Sequence, residues 1–177
     1  MPKREGVSLS VIKRLPRYYR FLGELLNRGV TRISSRELAQ MMQLTASQIR
    51  QDLNCFGGFG QQGYGYNVAA LHKEIGNIMG LDRHMPMVLI GAGNLGRTIA
   101  RHMDFDSSGF RLIGIFDNSV HIVGQTIRDL VVRDAAELED FCRAPTARAA
   151  VLCIPKEVAF ETTLRLMELG VNCFWNF

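Results

Sequence analysis

Gly91, Gly93 and Gly96 stand at G-x-G-x-x-G spacing directly after the apolar run Met87, Val88, Leu89 and Ile90. A helix-compatible stretch from Arg97 to Arg101 follows at once. Glycines so placed do three jobs at a dinucleotide: one makes the tight strand-to-helix turn, one lets backbone touch a pyrophosphate, and one lets helix and strand pack closely. The N–H groups of the segment Ala92, Gly93, Asn94, Leu95 and Gly96, at the start of the helix, are placed to hold the phosphates. Alone the pattern is weak, because many turns carry three glycines. The context strengthens it. A second apolar strand, residues 111–116, ends in Asp117, close to the ~20 residues at which a ribose-binding acid is expected. That carboxylate favours NAD over NADP, since it repels a 2′-phosphate and no arginine follows directly to neutralise one.

The charge of the chain is divided as well as basic. Residues 1–85 carry twelve Lys/Arg against six Asp/Glu, and residues 86–177 carry nine against eleven. A basic half joined to a near-neutral half points to one module that meets a polyanion and another with a separate task. With 47% apolar and 21% charged residues the chain can bury a core. No apolar run reaches the ~18 residues that span a bilayer, and the basic N-terminus leads into no signal-peptide core. The expectation is a cytoplasmic protein without a membrane partner. Cys55, Cys142, Cys153 and Cys173 are scattered with no C-x-x-C pair, so no metal site or disulfide framework is expected, and they read as buried small apolar residues.

Stepping along the basic half, Leu15, Tyr18, Tyr19, Leu22, Leu25 and Leu26 recur at three and four, which predicts an amphipathic helix stopped by Gly29. Lys13, Arg14, Arg17 and Arg20 share its polar side. Two capping boxes follow, Ser34-x-x-Glu37 and Thr45-x-x-Gln48, separated by a turn short enough to force two helices into a steep helix-turn-helix. On the second helix Ala46, Ile49, Leu53 and Phe56 form one face, and Ser47, Arg50, Gln51 and Asn54 the other. Arg, Gln and Asn match base edges in a major groove, while Ser47 near the helix start suits a phosphate. The glycine-rich stretch 57–68 has Tyr64, Tyr66 and Val68 in alternation, which predicts a β-hairpin wing. The candidate DNA-binding set is Arg17, Ser34, Ser35, Thr45, Ser47, Gln48, Arg50, Gln51, Asn54, and in the wing Gln62 and Tyr64.

A third helical period, through Val68, Leu71, Ile75 and Ile78, ends near Gly80. The predicted organisation is therefore a winged helix-turn-helix domain over 1–80, a joint over 81–86, and a dinucleotide-binding domain over 87–177. Beyond Asp117 a helix at 135–142, a strand at 149–154, a helix at 156–169 and a strand at 171–174 are expected, an alternation that implies a Rossmann-type, doubly wound parallel sheet. The fold class is α/β overall.

The segments 34–39, 48–53, 55–57 and 63–68, with the loop 91–96 and Phe116-Asp117, resemble the redox-sensing transcriptional repressor Rex family over almost the whole chain. The helix running into a glycine-tyrosine wing is the most specific of these features. The resemblance implies a homodimer whose winged helices bind double-stranded operator DNA and whose Rossmann domains bind NADH or NAD⁺, NADH favouring release of DNA. Gly91, Gly93, Gly96 and Asp117 carry over as cofactor contacts; Ser47, Arg50 and the wing carry over as the DNA-facing region. The resemblance further implies a C-terminal helix, exchanged between subunits, beyond the position of Phe177, and a tyrosine where His102 stands. The sequence carries neither, which bears on dimer stability and on the NADH switch.

Two other readings share the glycine loop. A small NAD-dependent dehydrogenase needs a substrate pocket and an acid or base over the nicotinamide, and His102 and His121 are the only histidines available for it in this half. A CoA-type nucleotide-binding domain gives Asp117 less reason to be where it is. No catalytic residue is assigned.

Overall fold

The computed structural model describes residues 7–57, 60–61, 64–143 and 147–177. They fall into two compact units, Met1–Gly80 and Leu81–Phe177.

In the first unit, helix α1 runs from Leu9 to Asn27. It starts well before Leu15 because Ser8 caps it, accepting from the Val11 N–H, and because Val11 extends the buried stripe of Leu15, Tyr18, Leu22 and Leu25. Strand β1, Arg32–Ile33, leads into α2, Ser35–Met42. Ser34 and Glu37 form the full reciprocal capping box, at 3.2 and 2.8 Å. The turn out of α2 places Gln43 at φ 54, the left-handed conformation that lets the chain reverse tightly. Helix α3, Ala46–Asn54, is capped by Thr45, which accepts from the Gln48 N–H at 3.1 Å. Here the box is one-sided, since the Gln48 side chain turns to Asp52.

Strands β2, Gly60–Gln61, and β3, Gly65–Asn67, pair antiparallel, and β1 adds to the other edge of β3. The wing hairpin is therefore present, with two corrections. Val68 is no strand residue; it opens helix α4, Val68–Met79, for which Asn67 supplies the cap. Tyr66 alone of the alternating trio is a buried strand residue, packed with Ile33, Leu38, Ile49 and Leu71 in the core of this unit, whereas Tyr64 lies in the turn before β3 and is 70% exposed.

In the second unit, β4 (Met85–Ile90), β5 (Phe110–Asp117), β6 (Thr126–Ile127), β7 (Leu130–Asp134), β8 (Ala149–Leu152) and β9 (Cys173–Asn176) form one six-stranded sheet in the order β6-β7-β5-β4-β8-β9. Pairing is parallel throughout except at β6–β7, an antiparallel hairpin at one edge that the strand–helix alternation did not foresee. Met85 and Pro86 already pair with Phe110 and Arg111, so they belong to the sheet and not to the joint.

Side chains alternate along β4. Met87 and Leu89 pack with Ala100 of helix α5, Asn94–His102, while Val88 and Ile90 pack with Leu138 and Cys142 of α6, Leu138–Arg143, and with Leu166 of α7, Lys156–Glu168. Helices thus cover both faces, which is why β4 and β8 read as unbroken apolar runs. A 3-10 turn at Ala135–Glu137, capped by Asp134, replaces the first turn of the helix expected at 135–142. The last strand lies two residues later than expected, because the Val171 N–H bonds back to the Leu166 carbonyl and closes the end of α7.

Candidate functional sites

The chain leaves β4 for β5 and β7 on one side, then returns to β8 on the other. Beyond the carboxyl ends of β4 and β8 this reversal opens the crevice in which doubly wound folds bind ligands. The glycine loop lies there. Gly91 has φ +93, and a Cβ on it would strike the Cys153 carbonyl. A Cβ on Gly96 would overlap the Gly91 carbonyl, so α5 reaches its position only with glycine at 96. Gly93 differs: its φ is −65, and a Cβ there would meet nothing within 4 Å. That empty space is what the middle glycine must offer to a pyrophosphate.

Gly93 is also the N-cap of α5 and supplies no side-chain bond to the helix start. The first-turn N–H groups there are uncapped by any side chain, the arrangement that attracts an anion. Gly93, Asn94 and Leu95 are exposed; Gly91, Ala92 and Gly96 are buried and shape the loop. Asp117, at the end of β5, is 9% exposed. Its Oδ2 accepts the Ala92 N–H at 2.6 Å and its Oδ1 accepts the Ser119 N–H at 2.8 Å. The carboxylate thus ties the glycine loop to β5, a bond the sequence reading did not anticipate, and each oxygen keeps a second lone pair for a sugar hydroxyl. The structure brings all seven cofactor candidates into one place.

In the first unit the exposed side of α3 presents Ser47, Arg50, Gln51 and Asn54. Arg50 donates to Ser35 Oγ at 3.1 Å, so the first helix of the pair steadies an arginine of the second. Ser34 and Thr45 are engaged as caps. Arg17 donates to the Met42 carbonyl at 2.8 Å, at the end of α2. Arg32 donates to the Tyr64 carbonyl at 3.2 Å and stands 5.9 Å from the centre of the Tyr64 ring, anchoring the wing turn with a cation over an aromatic face. Gln62 lies outside the described residues.

Two expectations fail here. Arg14 does not stay with the polar side of α1: its guanidinium grips Asp52 on α3 through Nε at 2.7 Å and Nη2 at 2.8 Å. Cys55 is exposed rather than buried, since Phe56 is the residue that turns toward the core at the end of α3. Asp52, 1% exposed, is the residue sequence reasoning missed. A signal existed, for it stands three residues after the buried Ile49 on the apolar side of its helix, where a carboxylate needs a partner. Burial opposes its ionisation, but hydrogen bonds from Arg14, Tyr18 and Gln48, with the Arg14 charge, outweigh that and hold the carboxyl below its ordinary range. Burial, then the bond to Asp52, pushes the Tyr18 hydroxyl up.

A helix-turn-helix with a strand-paired wing, followed on the same chain by a doubly wound sheet with an uncapped glycine loop, defines a class: nucleic-acid-binding regulators with a nucleotide-binding second unit. The comparisons are of the same kind. A family described as putative DNA-binding protein N-terminus matches residues 6–54, and one described as CoA binding domain matches residues 82–177. The redox-sensing transcriptional repressor Rex of Clostridioides difficile (strain 630) is 53% identical over 173 residues, 98% of this chain and 82% of that protein. Rex of Clostridium perfringens (strain SM101 / Type A) is 49% identical over 177 residues, 100% of this chain and 84% of the relative. Among solved structures, RSP in complex with beta-NAD+ and operator DNA superposes with a TM-score of 0.91 at 53% identity, covering 97% of this chain and 79% of that one. RSP in complex with beta-NADH gives 0.88 at 49% identity, covering 98% and 81%. The chain belongs to the redox-sensing transcriptional repressor Rex family.

Proposed function

We propose that this protein is a transcriptional repressor that binds operator DNA through residues 1–80 and reads the NADH/NAD⁺ ratio through residues 87–177, NADH favouring release. The observation that carries the reading is the presence on one chain of a capped helix with an exposed Ser47, Arg50, Gln51 and Asn54 set and of an uncapped α5 N-terminus behind Gly93. The dehydrogenase reading is set aside: relatives about half identical over the whole chain are repressors, not enzymes.

In this assignment the N–H groups of the 91–96 loop and the start of α5 take the pyrophosphate, and Asp117 takes the ribose. Both oxidation states share those groups, so these contacts give affinity without discrimination. NAD⁺ and NADH differ at one ring, in charge and planarity, and only contacts at that ring supply the differential affinity that shifts a conformational equilibrium. The CoA-binding description fits the same loop, which serves any nucleotide with a pyrophosphate. The protein acts as a homodimer in the cytoplasm, two helix-turn-helix units meeting half-sites about one helical turn apart or a multiple of it.

Fluorescence anisotropy on a labelled operator duplex tests the switch. NADH is expected to weaken DNA binding by about tenfold or more relative to NAD⁺, within the 1–3 kcal/mol usual for coupling between sites. Equal DNA affinity with the two nucleotides removes the sensing role and leaves DNA binding standing. Arg50→Ala is expected to lower operator affinity by ~1–3 kcal/mol and to relax preference at one base pair, as a base contact would. A uniform loss across unrelated duplexes would make Arg50 a phosphate contact instead.

A further inference from the structure

Asp52 is the one buried charge described in the first unit, and no DNA contact proposed above uses it. Its Oδ2 accepts from Arg14 Nε at 2.7 Å and from the Tyr18 hydroxyl at 2.9 Å; its Oδ1 accepts from Arg14 Nη2 at 2.8 Å and from Gln48 Nε2 at 3.3 Å. The carboxylate lies on α3, and Arg14 and Tyr18 lie on α1. One turn along α1 from Arg14, Arg17 holds the carbonyl at the end of α2. A single helix therefore grips both members of the helix-turn-helix with guanidinium groups.

Packing alone does not set α3 so closely. The helix has nine residues, and of its apolar side chains Ile49 and Leu53 are fully buried. Apolar burial is non-directional and tolerates a small roll about the helix axis. With side-chain tips about 6 Å from that axis, a roll of about 20° carries them about 2 Å. Hydrogen bonds to base edges survive displacements of only about 0.5 Å. A carboxylate with three donors arriving from α1 in fixed directions resists such a roll.

We infer that Asp52, held by Arg14 and Tyr18 of α1, fixes the rotation of α3 about its own axis and so determines which duplex sequences Ser47, Arg50, Gln51 and Asn54 accept. Asp52 is a positioning residue. Gln48, on α3 itself, commits its amide to orienting the Asp52 carboxylate rather than to reading bases. The inference rests on α3 being the helix that reads DNA.

Removing a buried ion pair whole, with apolar residues of similar size, is often neutral for stability, which separates positioning from folding. The test therefore combines Arg14→Met, Tyr18→Phe and Asp52→Leu in the full chain. Wild-type protein first enriches a preferred duplex from a random-sequence pool. Anisotropy then gives the affinity of wild type and variant for that duplex and for a shuffled duplex of the same composition, at one salt concentration. The expected result is a ratio of affinities reduced by about tenfold or more, the discrimination one base contact supplies, with shuffled-duplex affinity and circular dichroism unchanged. Tyr18→Phe alone, which keeps the ring in the core, is expected to narrow the same ratio by a smaller factor, and it decides the matter if the triple variant fails to fold. An unchanged ratio in a folded variant overturns the inference and leaves the repressor assignment intact. A wild-type chain that enriches no duplex overturns both.

Discussion

Asp52→Ala is expected to destabilise the first unit by about 3 kcal/mol or more, because it leaves the Arg14 charge and the buried Tyr18 hydroxyl without their acceptor. For a domain of this size that is a fall of roughly 10–20 °C in melting temperature. The same group sets a pH dependence with a definite sign. Its folded carboxyl titrates below the unfolded value, so its contribution is fully present above about pH 4 and is lost as pH falls through the folded value. Thermal melts of wild type and Asp52→Ala between pH 7 and pH 3 should therefore converge on the acid side. Parallel curves at a constant offset would show that the carboxylate charge is not what stabilises α3.

Gly93→Val and Gly96→Val are expected to fail in opposite ways. At 93 the backbone is one any residue adopts and the space around a Cβ is open, so the unliganded unit should melt as wild type does. The new side chain stands where the pyrophosphate approaches the N–H groups. Nucleotide affinity should drop by about tenfold to a hundredfold, the worth of one hydrogen bond to a charged group. At 96 the Cβ meets the Gly91 carbonyl, which a flexible side chain could avoid and backbone cannot. The cost there falls on stability, by ~1–3 kcal/mol or more, before any ligand is added. Calorimetric titration with NADH beside thermal melts separates the two; a Gly93→Val protein that binds NADH as tightly as wild type would move the phosphate site elsewhere.

The glycine loop, Asp117 and the capped α2 were legible because each rests on local chemistry at fixed spacing: a turn, a helix start, a strand end. So was the two-faced sheet, through the apolar runs of β4 and β8. The features that local spacing does not carry depend on partners far along the chain. Arg32–Ile33 and Thr126–Ile127 are two-residue strands, too short to show alternation, and exist because β3 and β7 lie beside them. Arg14 groups with the polar side of its helix in the sequence because its partner is 38 positions away. The spacing of Asp117 after the glycines points to a ligand, while its bond to the Ala92 N–H depends on β4 and β5 lying side by side. Cys55 sat one residue before a core position, and a helix end allows no finer reading than that.

The four tyrosines, Tyr18, Tyr19, Tyr64 and Tyr66, all fall in the first unit, whereas the single tryptophan, Trp175, lies in the second with its ring edge-on to Phe110 at 5.3 Å. Each half therefore has its own intrinsic fluorophore. Red-edge excitation, absorbed by indole alone, follows melting of the sheet; shorter wavelengths add the phenols and follow the winged half. One unlabelled sample then tells whether the two halves come apart together or in turn, and whether a nucleotide bound to one raises the midpoint of the other.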